Sequence, residues 1–133
     1  MQNSFSKDFD TWNELKKNLH TRDEEILFHE REIWWCSMGI NIGFEEDGKN
    51  KFFERPALIV KKFSRDVLWM LPLTRSNKVN KYHYRISQGN EHDSVVILSQ
   101  LRLISSKRLL RKMRMIKDSE FKEITQKVKQ FLG

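Results

Sequence analysis

Cysteine is nearly missing. Cys36 is the only one among 133 residues, which excludes an internal disulfide and a Cys-based zinc site. It sits in an apolar segment, where a small core residue is expected. Long hydrophobic runs are missing too, since nothing approaches the roughly 20 apolar residues that span a bilayer. The opening residues, MQNSFSKDFD, have no basic start followed by an apolar block. No signal peptide is expected, and the cytoplasm is the expected compartment. Two prolines and five glycines limit the number of sharp breaks, and no repeat or low-complexity tract interrupts the chain. The length suits one domain with a real core.

Charge, by contrast, is plentiful and uneven. The formal balance is +7, yet residues 1–32 sum to −3 and 33–54 to −2, whereas 55–89 sum to +7 and 90–133 to +5. An acidic front and a basic rear favour a polyanion near the second half. A solvated basic surface accounts for the same totals.

Residues 5–20, FSKDFDTWNELKKNLH, set Phe5, Phe9, Trp12, Leu15 and Leu19 at helical spacing. This predicts an amphipathic helix whose apolar face must dock on its own domain or on a partner. A charged connector follows, and its Asp23–Glu25 run reads as a solvated face. From Glu32 the texture turns to β-rich runs: EIWWCSM, RPALIVKKF, DVLWMLPLT, KYHYRIS and DSVVILSQLRLI. Polar turns separate them, and residues 41–54 form a long polar loop. SSKRLLRKM predicts a helical turn capped by Ser105 or Ser106. DSEFKEITQKVKQFLG predicts a closing helix with Asp118 as N-cap and a stripe of Phe121, Ile124, Val128, Phe131 and Leu132. Short strands followed by a terminal helix predict an α+β fold, with a curled antiparallel sheet or small barrel and helices against it. Trp34, Trp35 and Trp69 are expected in its interior or at a dimer contact.

One greasy strand begins with a fixed cation. In FFERPALIVKKF the apolar run Ala57–Val60 is preceded by Arg55 against Pro56. The residue before a proline is driven into extended geometry, and a proline belongs at the first residue or edge of a strand. Arg55 is therefore expected at the mouth of a strand. A two- or four-residue turn centred between Ser64 and Arg65 would oppose Leu58 to Leu71, Pro56 to Leu73 and Arg55 to Thr74. Opposed residues share a face, with Cβ atoms about 4.5–5.5 Å apart. A guanidinium beside a hydroxyl suits a phosphate. The plainer alternative is an ion pair of Arg55 with Glu54 or Glu45.

The ordered segments EIWWCSMGINIGFEEDG, RPALIV, LPLT and DSVVILSQLRLISSKRL resemble the MazF/PemK family, the toxins of type II toxin–antitoxin systems. The likeness runs from about Glu32 to the C-terminus and leaves residues 1–30 as an N-terminal helical extension to a barrel domain, 31–133. It implies a half-open, SH3-like antiparallel β-barrel that forms homodimers. It also implies an endoribonuclease that cuts single-stranded RNA at short sequences with no metal ion or other cofactor. A cognate antitoxin would neutralise it, and that complex would bind DNA. No membrane partner is implied. By the resemblance, Arg55 and Thr74 carry catalysis, Glu45 is the acidic residue of the first long loop, and Gln100 and Arg102 line the RNA groove. Phe44 is available for stacking, and Lys49, Lys51, Arg75, Lys78 and Lys81 for the RNA backbone. Where some members carry a loop histidine, a second arginine and an aspartate, this chain has Phe44, Ile97 and Ser99. These departures leave the general base open: Glu45 is the candidate for base or ribose contact, and His83 is an alternative if the fourth strand brings it to the rim.

Two other readings stand beside the nuclease. One is a binding module of the gyrase-poison type on the same fold. The other is a decayed toxin that keeps only antitoxin binding. The basic cluster Lys107, Arg108, Arg111, Lys112 and Arg114 reads either as an antitoxin-docking surface or as a solvated face. The nuclease reading requires Arg55 and Thr74 to lie together and open to solvent.

Overall fold

The computed structural model describes residues 25–39, 54–75, 80–86 and 95–133. Among them are seven strands: β1 (Glu32–Ser37), β2 (Glu54–Lys62), β3 (Val67–Thr74), β4 (His83–Arg85), β5 (Val95–Ile97), β6 (Arg102–Ser105) and β7 (Leu109–Met115). One helix, α1 (Asp118–Phe131), follows. The strands form one antiparallel sheet in the order β4-β5-β3-β2-β1-β7, with β6 on β3. The outer edge of β3 is shared end to end: Val67–Met70 pair with β6, and Leu73 and Thr74 pair with β5. The long apolar segment read as one strand therefore breaks at Leu98–Leu101, where the Leu98 amide donates to the Tyr82 carbonyl at 2.7 Å.

The unbroken run in β2 has a simple cause: both faces of the central strands are buried. Ala57 and Ile59 join Trp34, Cys36, Met70 and Leu109 in one core, inside the curl of the sheet. Leu58 points the other way, to a second core with Ile33, Leu71, Leu73 and the α1 residues Ile124 and Val128. Alternation along each strand thus assigns its side chains to two apolar layers.

The β2–β3 register comes out as expected by a different route. The turn is three residues, 64–66, closed by the Phe63 amide on the Val67 carbonyl at 3.1 Å. An odd loop moves the register by one, and Lys62 pairs with Leu68. A bulge at Val60 moves it back, so that Leu58 faces Leu71 and Ala57 faces Pro72.

Other details correct the expectations. The residue before α1 is Lys117, which makes no side-chain cap, and Asp118 is the first helical residue. Asp118 and Glu120 still complement the helix dipole from the first turn. Phe131 and Leu132 remain exposed rather than completing the apolar stripe. The turn at Ser106–Arg108 is a single 3-10 turn capped by the Ser105 hydroxyl, and Leu109 already belongs to β7. Trp34 is a core residue, whereas Trp69 keeps 37% of its surface exposed. The predicted helix over 5–20 lies outside the described residues.

One buried carboxylate is structural. Glu32 accepts from the Trp34 indole at 2.9 Å, the His29 amide at 2.8 Å and Lys112 Nζ at 2.9 Å. Burial alone would raise its pKa, but the bonds from Trp34 and Lys112 and then the His29 amide hold it below 4.5.

Candidate functional site

Two residues along each strand from the Ala57–Pro72 pair stand Arg55 and Thr74, on the face that houses the first core. Arg55 pairs across β1 with Cys36, and Thr74 pairs across β5 with Val95. Val95 pairs in turn with Arg85, which places an exposed arginine in the Thr74 row. The Arg55 Nη2 donates to the Leu73 carbonyl, the residue next to Thr74. The structure thus brings the guanidinium to the end of β3 that carries the hydroxyl.

It does not leave them open. Arg55 is 1% exposed and Thr74 is 8% exposed. The expectation of an open rim is therefore corrected: both residues are buried. The cause is local. β2 starts one residue before Arg55, and the prolines at 56 and 72 keep both strands extended to their ends. Strand alternation puts Arg55 on the same face as Ala57 and Ile59 of the first core.

The plainer pairing of Arg55 with Glu54 does not set the arrangement. Glu54 gives one carboxylate oxygen to Arg111 Nη1 at 2.9 Å and the other to Nη2 at 3.0 Å. Arg111 also lies over the Trp35 ring, 5.0 Å from its centroid. This bidentate pair raises the Arg111 pKa, with burial opposing it.

A third cation at this rim was assigned from the sequence only to the basic cluster. Arg108 Nη1 donates to the Ser37 carbonyl at 3.1 Å, beside the Cys36–Arg55 pair. Burial, and then the neighbouring Arg102 guanidinium, lower its pKa. Arg102 opens β6 opposite Met70, and Gln100 stands two residues earlier, half-buried. The signal for Arg108 lay in the 3-10 turn, which pins the chain so that this side chain turns back across the sheet. Arg55, Thr74, Arg75, Gln100, Arg102 and Arg108 all have partners.

Other expected residues lie elsewhere. Lys81 sits over the Tyr82 ring, 5.1 Å from its centroid, and Tyr82 in turn meets Phe131 of α1 at 5.3 Å. It stands beyond the His83 end of β4, away from the Thr74 row. His83 Nδ1 accepts from the Asn80 amide at 3.3 Å, in the turn before β4. Tyr84 donates its hydroxyl to Glu123 at 2.7 Å. Phe44, Glu45, Lys49, Lys51 and Lys78 lie outside the described residues. No helix among the described residues is long and apolar enough to cross a membrane.

Comparisons with known proteins agree on the fold. The sheet and helix match MazF from Deinococcus radiodurans with a TM-score of 0.65 at 16% identity, covering 81% of this chain and 98% of that one. A mycobacterial endoribonuclease, solved with its cognate antitoxin, matches at 0.60 and 13% identity, over 80% of this chain and 96% of that one. The Mycobacterium tuberculosis toxin MazF-mt6 matches at 0.59 and 15% identity, over 77% and 96%. Comparison with curated protein sequences finds no match. The family described as the PemK-like, MazF-like toxin of type II toxin–antitoxin system matches residues 29–132. With most of its length inside that match, the chain belongs to the PemK-like, MazF-like toxin family of type II toxin–antitoxin systems.

Proposed function

We propose that this protein is a toxin endoribonuclease that cuts single-stranded RNA at short sequences and is held inactive by a cognate antitoxin. The observation that supports the reading is Arg55, a buried cation whose Nη2 donates to the Leu73 carbonyl, the residue before Thr74. Burying a charge is expensive, and an apolar residue would pack there at lower cost. Such a group needs a reason beyond packing, and phosphate chemistry supplies one.

The proposed step uses no metal ion. A base takes the proton of a ribose 2′-hydroxyl, whose oxygen attacks the adjacent phosphorus. The bond to the 5′-oxygen breaks, and that oxygen takes up a proton. Arg55 does not readily release its own proton, so it stabilises the charge growing on the phosphoryl oxygens. Thr74 orients the phosphate, Arg102 and Arg108 add positive potential, and Glu45 is the candidate base. The closure of Arg55 and Thr74 fails the requirement of an open site, so this reading holds only if RNA displaces the contacts that bury both residues. Single-stranded RNA suits this, because its unstacked bases can be splayed out, whereas an A-form duplex hides its base edges. Residues 31–133 form the catalytic barrel in this reading, and two copies form the working dimer.

The test is cleavage of a long single-stranded RNA in EDTA with 5′ ends mapped, for the native chain and Arg55→Ala. The native chain should cut at a short recurring sequence, and the variant should lose about 100- to 1,000-fold in rate with its circular dichroism unchanged. Full activity of Arg55→Ala would remove this residue from the mechanism. The closure of Arg55 and Thr74 favours a second reading, a toxin-fold module that binds a partner without cutting RNA. An inactive native chain that still binds its antitoxin, or that inhibits gyrase supercoiling in a parallel assay, would establish that reading instead.

A further inference from the structure

One edge of the sheet carries a dense run of cations. From Lys107 to Lys117 the sequence reads KRLLRKMRMIK, with six cations and no carboxylate. Seven of these residues form β7, which stands last in the sheet order. It pairs with β1 on one side, and among the described residues no strand pairs with the other. A strand bonded on one side turns alternate N–H and C=O groups outward, where another chain can continue the ladder.

The positive charges on this edge are open, and their counter-charges are not. Arg111 and Lys112 keep 56% and 48% of their side chains exposed, whereas the carboxylates they bond, Glu54 and Glu32, keep 6% and 4%. Each cation covers a buried carboxylate and shows its own charge to solvent. Arg111 stands beside Trp35 and Lys112 beside Trp34. Successive residues of a strand point to opposite faces, so cations flank both sides of the edge. A second copy of β7 is a poor partner, because a two-fold pairing sets cations opposite cations. The two register shifts along the β1–β7 pairing twist the edge further from flat self-pairing. A nucleic acid would match the charge, but it has no strand to add to the ladder.

We propose that the outer edge of β7, along Leu110–Met115, docks an extended acidic segment of another protein, which joins the sheet as a further strand. Main-chain hydrogen bonds supply the affinity of such an addition. Opposite charges across the new strand pair supply the selection. From the sequence, this basic cluster suits docking or a solvated face equally. The strand edge favours docking, because it adds a hydrogen-bonding ladder to the charge. Arg55 and Cys36 share a row that meets β7 at Leu109, before this stretch begins. The inference therefore does not depend on RNA cleavage.

The test is titration of the full-length, isotope-labelled chain with a synthetic peptide that alternates glutamate and valine. Amide signals within Leu110–Met115 should shift, and their hydrogen exchange should slow. The same peptide with alternate backbone nitrogens methylated keeps its charge but cannot pair, and it should lose both effects. A glutamine-for-glutamate version should lose them as well. The peptide is varied rather than the strand, because Arg111→Ala or Lys112→Ala would strip Glu54 or Glu32 of its bonded cation. Equal binding of the methylated peptide would reduce the edge to a charged surface and overturn the proposal. Equal binding of the glutamine peptide would remove the charge match and overturn it too. A short single-stranded RNA that shifts the same amides and displaces the peptide would assign the stretch to RNA instead. Shifts of these amides on dilution of the free chain would assign it to a second copy, against the proposal. No response to the acidic peptide would leave the cations as protection of the edge, and the proposal would fall.

Discussion

At one end of the β2–β3 hairpin a guanidinium and a hydroxyl are buried. At the other end two aromatic rings, Phe63 and Trp69, are partly exposed. Between them Ala57 to Ile59 and Met70 to Leu71 obey the ordinary rule, apolar and inside. The same two strands therefore hold both kinds of exception. Burial of a cation needs a reason beyond packing, and so does exposure of a large apolar cluster. The middle of the hairpin supplies the packing, and each end departs from it in the opposite direction.

The largest expected effect is at the Arg55 end. Arg55→Ala should lower RNA cleavage about 100- to 1,000-fold, read by 5′-end mapping in chelator. If cleavage persists, the buried cation is structural and the contrast between the ends disappears. Leu58→Ala probes the regular middle. It empties a site between Leu71 and the second core and should destabilise the fold by about 3 kcal/mol in urea unfolding. A loss below about 1 kcal/mol would mean that the middle does not carry the stability assigned to it.

Glu32 sharpens the comparison, because it is as buried as Thr74 yet sits in a fully bonded structural site. Its pKa is lower in the folded state than the ordinary 4.5. Its stabilisation is therefore present above about pH 4.5 and is lost as pH falls through the folded value. Glu32→Gln should cost about 1–3 kcal/mol near neutral pH, and the gap to the native chain should close in acid. A gap independent of pH would contradict the ionised site. RNA cleavage should change little, in contrast to Arg55→Ala. Tyr84→Phe is the smallest test. It removes the hydroxyl that anchors β4 to Glu123 of α1 and should cost about 1 kcal/mol. Burial, followed by that carboxylate, raises the Tyr84 pKa, so the native bond should persist to alkaline pH.

Much of the fold was readable from pattern. The strand positions followed from β-rich runs between polar turns, and α1 followed from its helical stripe. The pairing of Leu58 with Leu71 followed from a register count, but for an incomplete reason. A three-residue turn and a bulge at Val60 shift the pairing in opposite directions. A bulge leaves no mark in an apolar run, because Val60 fits either geometry. Arg108 could not be placed at the rim, since its direction depends on a single 3-10 turn. Trp69 could not be distinguished from Trp34, because local sequence does not say which layer will be covered.

By itself the amino-acid sequence determined which segments are extended, which are helical and which residues begin a strand beside a proline. Those outcomes rest on backbone sterics and on the periodicity of apolar side chains, both local properties. Only the tertiary structure decided that Arg55 lies inside and Trp69 outside. Burial is a property of what packs against a residue, and those neighbours come from distant strands and from α1.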